Sequence, residues 1–434
     1  MPLNIAIVGT GLTGLVAAYG LSNAGCRVTL FEEMSGPGGL ASSFNAGQEQ
    51  LERFYHHIFT GDQQLLELCD KLGIGDRLEW FEPRNAIYLG NHLFPFTSPM
   101  DLLRFSPLKL VSRVRTGLLA LTSPFIHDYL PYESVTARDW LIKRAGKDSY
   151  DKIWGPLLNS KFDKDADSVS GVWIWNKLKL RGSSRDKNLR KEQLGYMKGG
   201  FSTLVSRLEE EILANGGVFR YNTKITDINL QSDGSFTIGG GSKDEVFDKV
   251  LFTASPQVLG AMPSPLPADF NDALTALKTK ANICLTLELE QSLSPYYWIT
   301  VAQEEIPFVL VIEHTRLVGL RDYKSHVVYL SRYIDASSEL YGRSDNEIEE
   351  VFIKGLSKIF PDFKSDSIRK ATLSRAKYAQ PVVVKGYSKM IPPVRTPVDG
   401  LYLASMSQIY PEDRGMNYAV RLGVKAVKEI MRSV

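Results

Sequence analysis

The chain has 434 residues, 44% hydrophobic and 23% charged, which suits two or three packed domains and excludes a disordered or low-complexity protein. Lysine plus arginine (51) nearly balances aspartate plus glutamate (49), and a net charge of +2 gives no basis for a nucleic-acid partner. Cys26, Cys69 and Cys284 stand far apart with no CxxC or Cys/His spacing, so neither a disulfide framework nor a metal site is expected, and a reducing compartment fits.

In chain order, Asn4–Val8 is short, apolar and β-branched, as a buried parallel strand should be. A glycine-rich turn follows, then a helical run from Leu15 to Ala24 closed by Gly25, then a second strand over Arg27–Phe31. The apolar stretch Ile5–Leu21 lacks a basic leader and is interrupted by four glycines, so it does not read as an export signal. No run of eighteen apolar residues exists, so no spanning helix is expected, and the cytoplasm is the expected location. Residues 62–78 read as a helix ending near Gly73, and 101–160 as helices broken by prolines. The basic stretch 177–191 reads as an exposed loop. A second block opens at Gly199-Gly200 with a helix over Phe201–Asn215, strands at Val218–Tyr221 and Ile225–Gln231, and a buried strand at Val250–Thr253. Strands alternate from 281 to 333, a helix covers Asn346–Ile359, and the chain finishes as strand Leu401–Ala404 and helix Met416–Met431.

The strand, turn, helix, strand unit at the N-terminus carries Gly9-Thr10-Gly11-Leu12-Thr13-Gly14, a GxGxxG in its proper context. Gly9 permits the tight turn, Gly11 lets the backbone approach a pyrophosphate, and Gly14 allows close packing of helix on strand. The helix N-terminus, through Leu12, Thr13 and Gly14, offers N–H groups and a positive dipole end to the phosphates. Glu32 ends the second strand eighteen residues past Gly14, with Glu33 beside it, where a carboxylate accepts hydrogen bonds from ribose hydroxyls. An acid there disfavours a 2′-phosphate, which leaves FAD or NAD.

Gly36-Pro37-Gly38-Gly39 then follows Glu32 at close range, an arrangement that resembles the amine oxidase-type flavoproteins, including protoporphyrinogen oxidases and phytoene desaturases. The resemblance runs along nearly the whole chain. Tyr55-His56-His57-Ile58-Phe59 falls where UDP-galactopyranose mutases and protoporphyrinogen oxidases carry a His-containing segment beside the flavin. Ser134–Leu141 and Trp154–Leu158 look like the helical part of the desaturase relatives. Gly199–Leu204 resembles their second entry into the FAD domain, where the position matching Ile225 contacts adenine through its backbone. Leu401–Ala404 and the helix from Met416 resemble the closing motif, whose N-terminus points at the flavin. Where the family usually has Arg after the glycine pair this chain has Leu40, and where it often has Gly-Asp or Gly-Asn the chain has Ser405-Met406, so contacts there are expected through backbone N–H groups. No cysteine follows Cys284, which excludes a late cysteinyl flavin link and implies non-covalent FAD.

The resemblance implies an α/β fold: a Rossmann-like, GR2-type FAD-binding domain built from 1–61, 195–260 and 395–434, a helical subdomain over 62–194, and an α+β substrate domain over 261–394 with a mixed or antiparallel sheet above the flavin. The implied activity is hydride transfer from a small organic substrate to flavin N5. The alternative is a non-redox enzyme resembling UDP-galactopyranose mutase, acting on a nucleotide sugar or glycolipid precursor. His57 is a catalytic candidate for its flavin-facing position, and Glu313-His314 for a carboxylate that would fix an imidazole tautomer. Arg414, with Gly415 and the amides of Met416 and Asn417, is a candidate to stabilise negative charge on reduced flavin. Tyr296, Tyr297 and Trp298, with Trp173 and Trp175, are candidate pocket walls. The apolar and basic segment 102–126 is a candidate for peripheral membrane contact.

Overall fold

The computed structural model describes residues 2–183, 192–240 and 245–432. At its centre lies a five-stranded parallel sheet in the order Val218–Arg220, Arg27–Phe31, Asn4–Val8, Lys249–Phe252, Leu401–Leu403. Its strands come from three distant parts of the chain. Asn4–Val8 is the middle strand, and Ile5, Ala6 and Ile7 are fully buried, as the continuous apolar run requires for a strand covered on both faces. The helix Leu12–Asn23 is buried along most of its length because it lies between the sheet and the last helix, Met416–Met431. That packing is close enough that a Cβ at Gly423 would stand 2.8 Å from the Thr13 carbonyl oxygen. An antiparallel meander of Asp227–Leu230, Phe236–Gly239 and Glu245–Phe247 packs its apolar face on the same sheet.

The second layer is a seven-stranded sheet in the order Ile368–Pro381, Thr279–Leu289, His326–Ile334, Leu310–Glu313, Trp298–Val301, Asn85–Leu89, His92–Pro95. It is antiparallel except where Trp298–Val301 pairs in parallel with Asn85–Leu89. Thr279–Leu289 is buried from Lys280 onward because it sits between two long strands and beneath the helix Asp345–Ile359. Helices at Pro99–Arg104, Leu110–Thr122, Ala137–Ala145, Gly155–Phe162 and Gly171–Ser183 form a third, helical body.

The basic stretch expected as a loop from 177 is instead helical to Ser183; its remainder, 184–191, lies outside the described residues. The helix expected over 62–78 is shorter, Gln63–Lys71, and turns out at Gly73, whose φ of 69° favours glycine. Among the described residues, no helix is long and apolar enough to cross a membrane.

Candidate functional site

The glycine turn at the carboxyl end of Asn4–Val8 is built for close approach. Gly9 has φ of 102°, and its carbonyl oxygen accepts from Thr253 Oγ1 at 2.8 Å, which pins the turn to the neighbouring strand. A Cβ at Gly14 would lie 2.2 Å from that same carbonyl, so only glycine lets the helix start this near the strand. A Cβ at Gly11 would meet nothing within 4 Å. The surface over Gly11 is therefore open, and the helix it caps has no side-chain cap on its first amides. This is the arrangement a diphosphate requires.

Glu32 is 8% exposed, and its carboxylate accepts from the Thr10 amide at 3.0 Å, the Thr10 hydroxyl at 2.6 Å and the Met34 amide at 3.0 Å. Three donors hold the acid at the lip of the cradle, where a ribose would lie. Glu33 is exposed and faces solvent. Gly38 and Gly39 fold back over the turn, with the Gly38 amide donating to the Thr10 carbonyl at 2.9 Å. A Cβ at Gly39 would stand 3.1 Å from Gly11 Cα. Ile225 is buried, and its main chain forms no hydrogen bond within the described residues, so the segment is free to meet the edge of a base. Ser405 caps a short turn over Met406–Gln408 and accepts from the Ser407 amide at 3.3 Å. Gly415 starts the last helix without a side-chain cap, which leaves the Met416 and Asn417 amides available; the Asn417 side chain is itself held by the Leu65 amide and Gln64.

Beyond the glycine pair, a small enclosed cavity is lined by Leu40, Tyr55, His56, Asn282, Tyr333 and Arg414. These residues come from five parts of the chain, Leu40 from the short turn Gly39–Ala41. Tyr333 and Asn282 are register partners on adjacent strands, and Arg414 comes from the loop before the last helix. Tyr55 and His56 come from the extended segment after Glu52. Arg414 Nε donates to Gln380 Oε1 at 3.0 Å and an Nη donates to the Tyr333 hydroxyl. The Tyr333 hydroxyl also faces that of Tyr55 at 3.2 Å. Burial alone would raise the Tyr333 pKa, but Arg414 and Lys161 outweigh it and hold the phenol below the ordinary tyrosine value. His56 shares its Nδ1 with the Phe54 carbonyl at 2.6 Å; burial and the nearby Arg414 push its pKa down to about 4, so the ring is neutral.

The residues expected to be catalytic separate in space. Arg414 reaches the cavity, but His57 turns away from its neighbour, with Nδ1 3.0 Å from the Tyr297 hydroxyl and Phe59 and Trp298 edge-on to its ring. Glu313 and His314 do not pair. The Glu313 carboxylate accepts from the Leu293 and Ser294 amides at 3.1 and 3.3 Å and lies 3.4 Å from Arg316 and from His326. His314 points into a tyrosine nest, with Nε2 3.1 Å from the Tyr323 hydroxyl, and burial pushes its pKa down to about 3. Neighbours at a strand end face opposite ways, so an adjacent Glu and His could not form a carboxylate–imidazole pair. The aromatic group divides too: Trp173 and Trp175 pack in the helical body, while Tyr297 and Trp298 flank His57.

Sequence reasoning did not single out Tyr333, Tyr55, Lys161 or Glu52. Period-two alternation along His326–Ile334 puts Tyr329, Ser331 and Tyr333 on one face, which is the signal available for Tyr333. Glu52 is fully buried beneath the cavity segment, accepting from the Tyr196 hydroxyl at 2.8 Å and the Phe201 amide at 2.5 Å.

Similarity to known proteins agrees with this geometry. The chain is 25% identical to coproporphyrinogen III oxidase of Staphylococcus aureus over 290 residues, 59% of this chain and 62% of that enzyme's length. It is 25% identical to the 15-cis-phytoene desaturase of Capsicum annuum over 449 residues, 93% of this chain and 73% of the relative. The solved structure of an oxidoreductase from Methanosarcina mazei shares the fold with a TM-score of 0.75 at 18% identity, covering 98% of this chain and all of that one. The family profile described as flavin containing amine oxidoreductase matches residues 12–431. The open cradle at Gly11, the buried acid at Glu32 and the uncapped helix at Gly415 all suit a flavin dinucleotide, and the chain belongs to the family of flavin containing amine oxidoreductases.

Proposed function

We propose that this chain is an FAD-dependent oxidoreductase that takes a hydride from a small organic substrate. The observation that carries the reading is continuity. The cradle at Gly11 touches Gly39, the next residue Leu40 lines the cavity, and the cavity ends at Arg414, one residue before the uncapped helix. A dinucleotide laid along that path has its diphosphate at Gly11 and its other end at the cavity. Glu32 would hold the adenosine ribose, Ile225 the adenine edge, and the Met416 and Asn417 amides the far ring. FAD bound there supplies the hydride acceptor. The chain's own groups bind and orient the substrate, and the neutral His56 and the Tyr55–Tyr333 pair are placed to hold a proton at the cavity wall. We assign the binding as non-covalent, because Cys26, Cys69 and Cys284 are all buried.

The FAD-binding domain is assigned to 1–61, 195–260 and 395–434, the helical subdomain to 62–194 and the substrate domain to 261–394. The protein is assigned to the cytoplasm, in contact with a membrane surface. Met100, Leu110, Val111, Leu118, Leu121 and Phe125 are each at least half exposed on adjoining helical segments, and Leu110–Thr122 carries Arg113 and Arg115 but no acidic residue. That combination suits the headgroup region of an anionic bilayer.

The test is anaerobic mixing of the yellow holoprotein with amines, porphyrinogens and polyenes, the latter two suggested by the relatives' activities. Loss of the flavin's visible absorbance with at least one of these classes is expected. Absorbance unchanged by every member of all three would overturn the oxidoreductase reading.

A further inference from the structure

The charges around the cavity are the reverse of those an amine would need. Arg414 has its Nε on Gln380 and one Nη on Tyr333, and the other Nη has no hydrogen-bond acceptor among the described residues. The Lys161 ammonium lies 4.6 Å from the centroid of the Tyr333 ring and has no carboxylate within ion-pair distance among the described residues. The acid beside them, Asp413, is already satisfied: Lys177 Nζ lies 2.6 Å from Oδ2, and Gln380 Nε2 donates to Oδ1 at 2.9 Å. Asp413 is thus the one acid shared by Lys177, Lys161 and Arg414, and the cluster keeps an excess of positive charge.

Aromatic walls can attract cations, but here the cation position is taken. Lys161 and Arg414 lie 4.6 and 5.6 Å from the centroid of the same Tyr333 ring. A second ammonium brought to this wall would face two fixed positive charges in a partly desolvated cavity. An oxyanion would instead gain a charge-assisted hydrogen bond from Arg414, which lines the cavity, and Coulomb attraction from Lys161 at the Tyr333 ring.

Resting on the reading that FAD occupies the adjoining cradle, we infer that the substrate presents an oxyanion, a carboxylate or a phosphate, to Arg414 and Lys161, and that protonated amines are rejected. Arg414 and Lys161 thereby determine specificity at a site whose family is described by amines.

The experiment titrates FAD-loaded protein with three probes of similar size: benzoate, phenyl phosphate and benzylamine. Binding is followed by the difference spectrum of the bound flavin and, in parallel, by thermal shift. Saturable binding of benzoate or phenyl phosphate is expected, with the tighter of the two identifying the oxyanion. Arg414→Gln and Lys161→Gln should each weaken that binding by about tenfold or more, and Arg414→Lys by less. Lys161→Gln, outside the core hydrogen bonds of Arg414, keeps the test alive if the arginine variant does not fold. The inference is overturned if benzylamine binds as tightly as the oxyanions, if neither oxyanion binds, or if both glutamine variants bind normally. A chain that is yellow but prefers benzylamine defeats this inference alone. A chain that takes up no FAD defeats the preceding reading, and the thermal-shift arm then decides the oxyanion preference on its own with the same outcomes.

Discussion

A Cβ placed on Gly14 would collide with the Gly9 carbonyl oxygen at 2.2 Å, whereas one placed on Gly11 would meet open space, and Gly11 has φ of −64°, which alanine adopts freely. The two glycines therefore answer to different needs, one to folding and one to the ligand. Gly14→Ala should lower the stability of the FAD-free chain by about 1–3 kcal/mol. Gly11→Ala should leave it unchanged and weaken FAD binding by about tenfold or more. Thermal melts of both variants with and without FAD check this pair. Glu52 offers a second residue-scale test. Burial, against the donors Tyr196 and Phe201, raises its pKa from the ordinary 4.5 to about 7. Folding then favours the protonated form, so the cost of ionising Glu52 in the folded state is absent below pH 4.5, grows through the window from 4.5 to 7, and is fully present above it. The melting temperature of the parent should fall across that window relative to Glu52→Gln, by an amount worth about 3 kcal/mol at most. Parallel pH profiles of the two would contradict the assignment.

At the scale of elements, local pattern and long-range pairing divide what could be read in advance. Asn4–Val8, Arg27–Phe31 and Met416–Met431 have the same bounds in the structure as in the sequence reading, because each carries its own periodicity and its own glycine or turn at the ends. The glycine turn and Glu32 were legible for the same reason. The cavity was not. Tyr333 meets Asn282 through strand register, and Arg414 meets both only after the chain has closed. Lys177 lay in a stretch that looked solvated, yet its helix delivers it to the buried Asp413, a partner no local pattern announces. Leu110–Thr122 turns Leu119 inward and leaves Leu110, Val111, Val114, Leu118 and Leu121 exposed, the face on which a membrane contact would rest. Leu110→Glu with Leu118→Glu should abolish co-sedimentation with phosphatidylglycerol vesicles and leave the melting temperature unchanged, since both side chains are more than half exposed. Equal binding by parent and double variant would count against a membrane face.

Across the whole molecule, the proposed cradle draws on segments that are distant in sequence and follow strands of one parallel sheet: 9–39 around the first two strands, Ile225 after Val218–Arg220, and 405–417 after Leu401–Leu403. A ligand spanning all of them ties the ends of the chain together, so its binding reports directly on the fold. Any ligand that binds only the folded state raises stability, by about 2.7 kcal/mol when present at a hundred times its dissociation constant. The decisive measurement is a titration of purified, FAD-free chain with FAD, followed by melting temperature and by visible absorbance, with acid precipitation afterwards. The account predicts a saturable rise in melting temperature, a yellow protein, and release of all the flavin into the acid supernatant. A colourless chain with no thermal shift in excess FAD would contradict it.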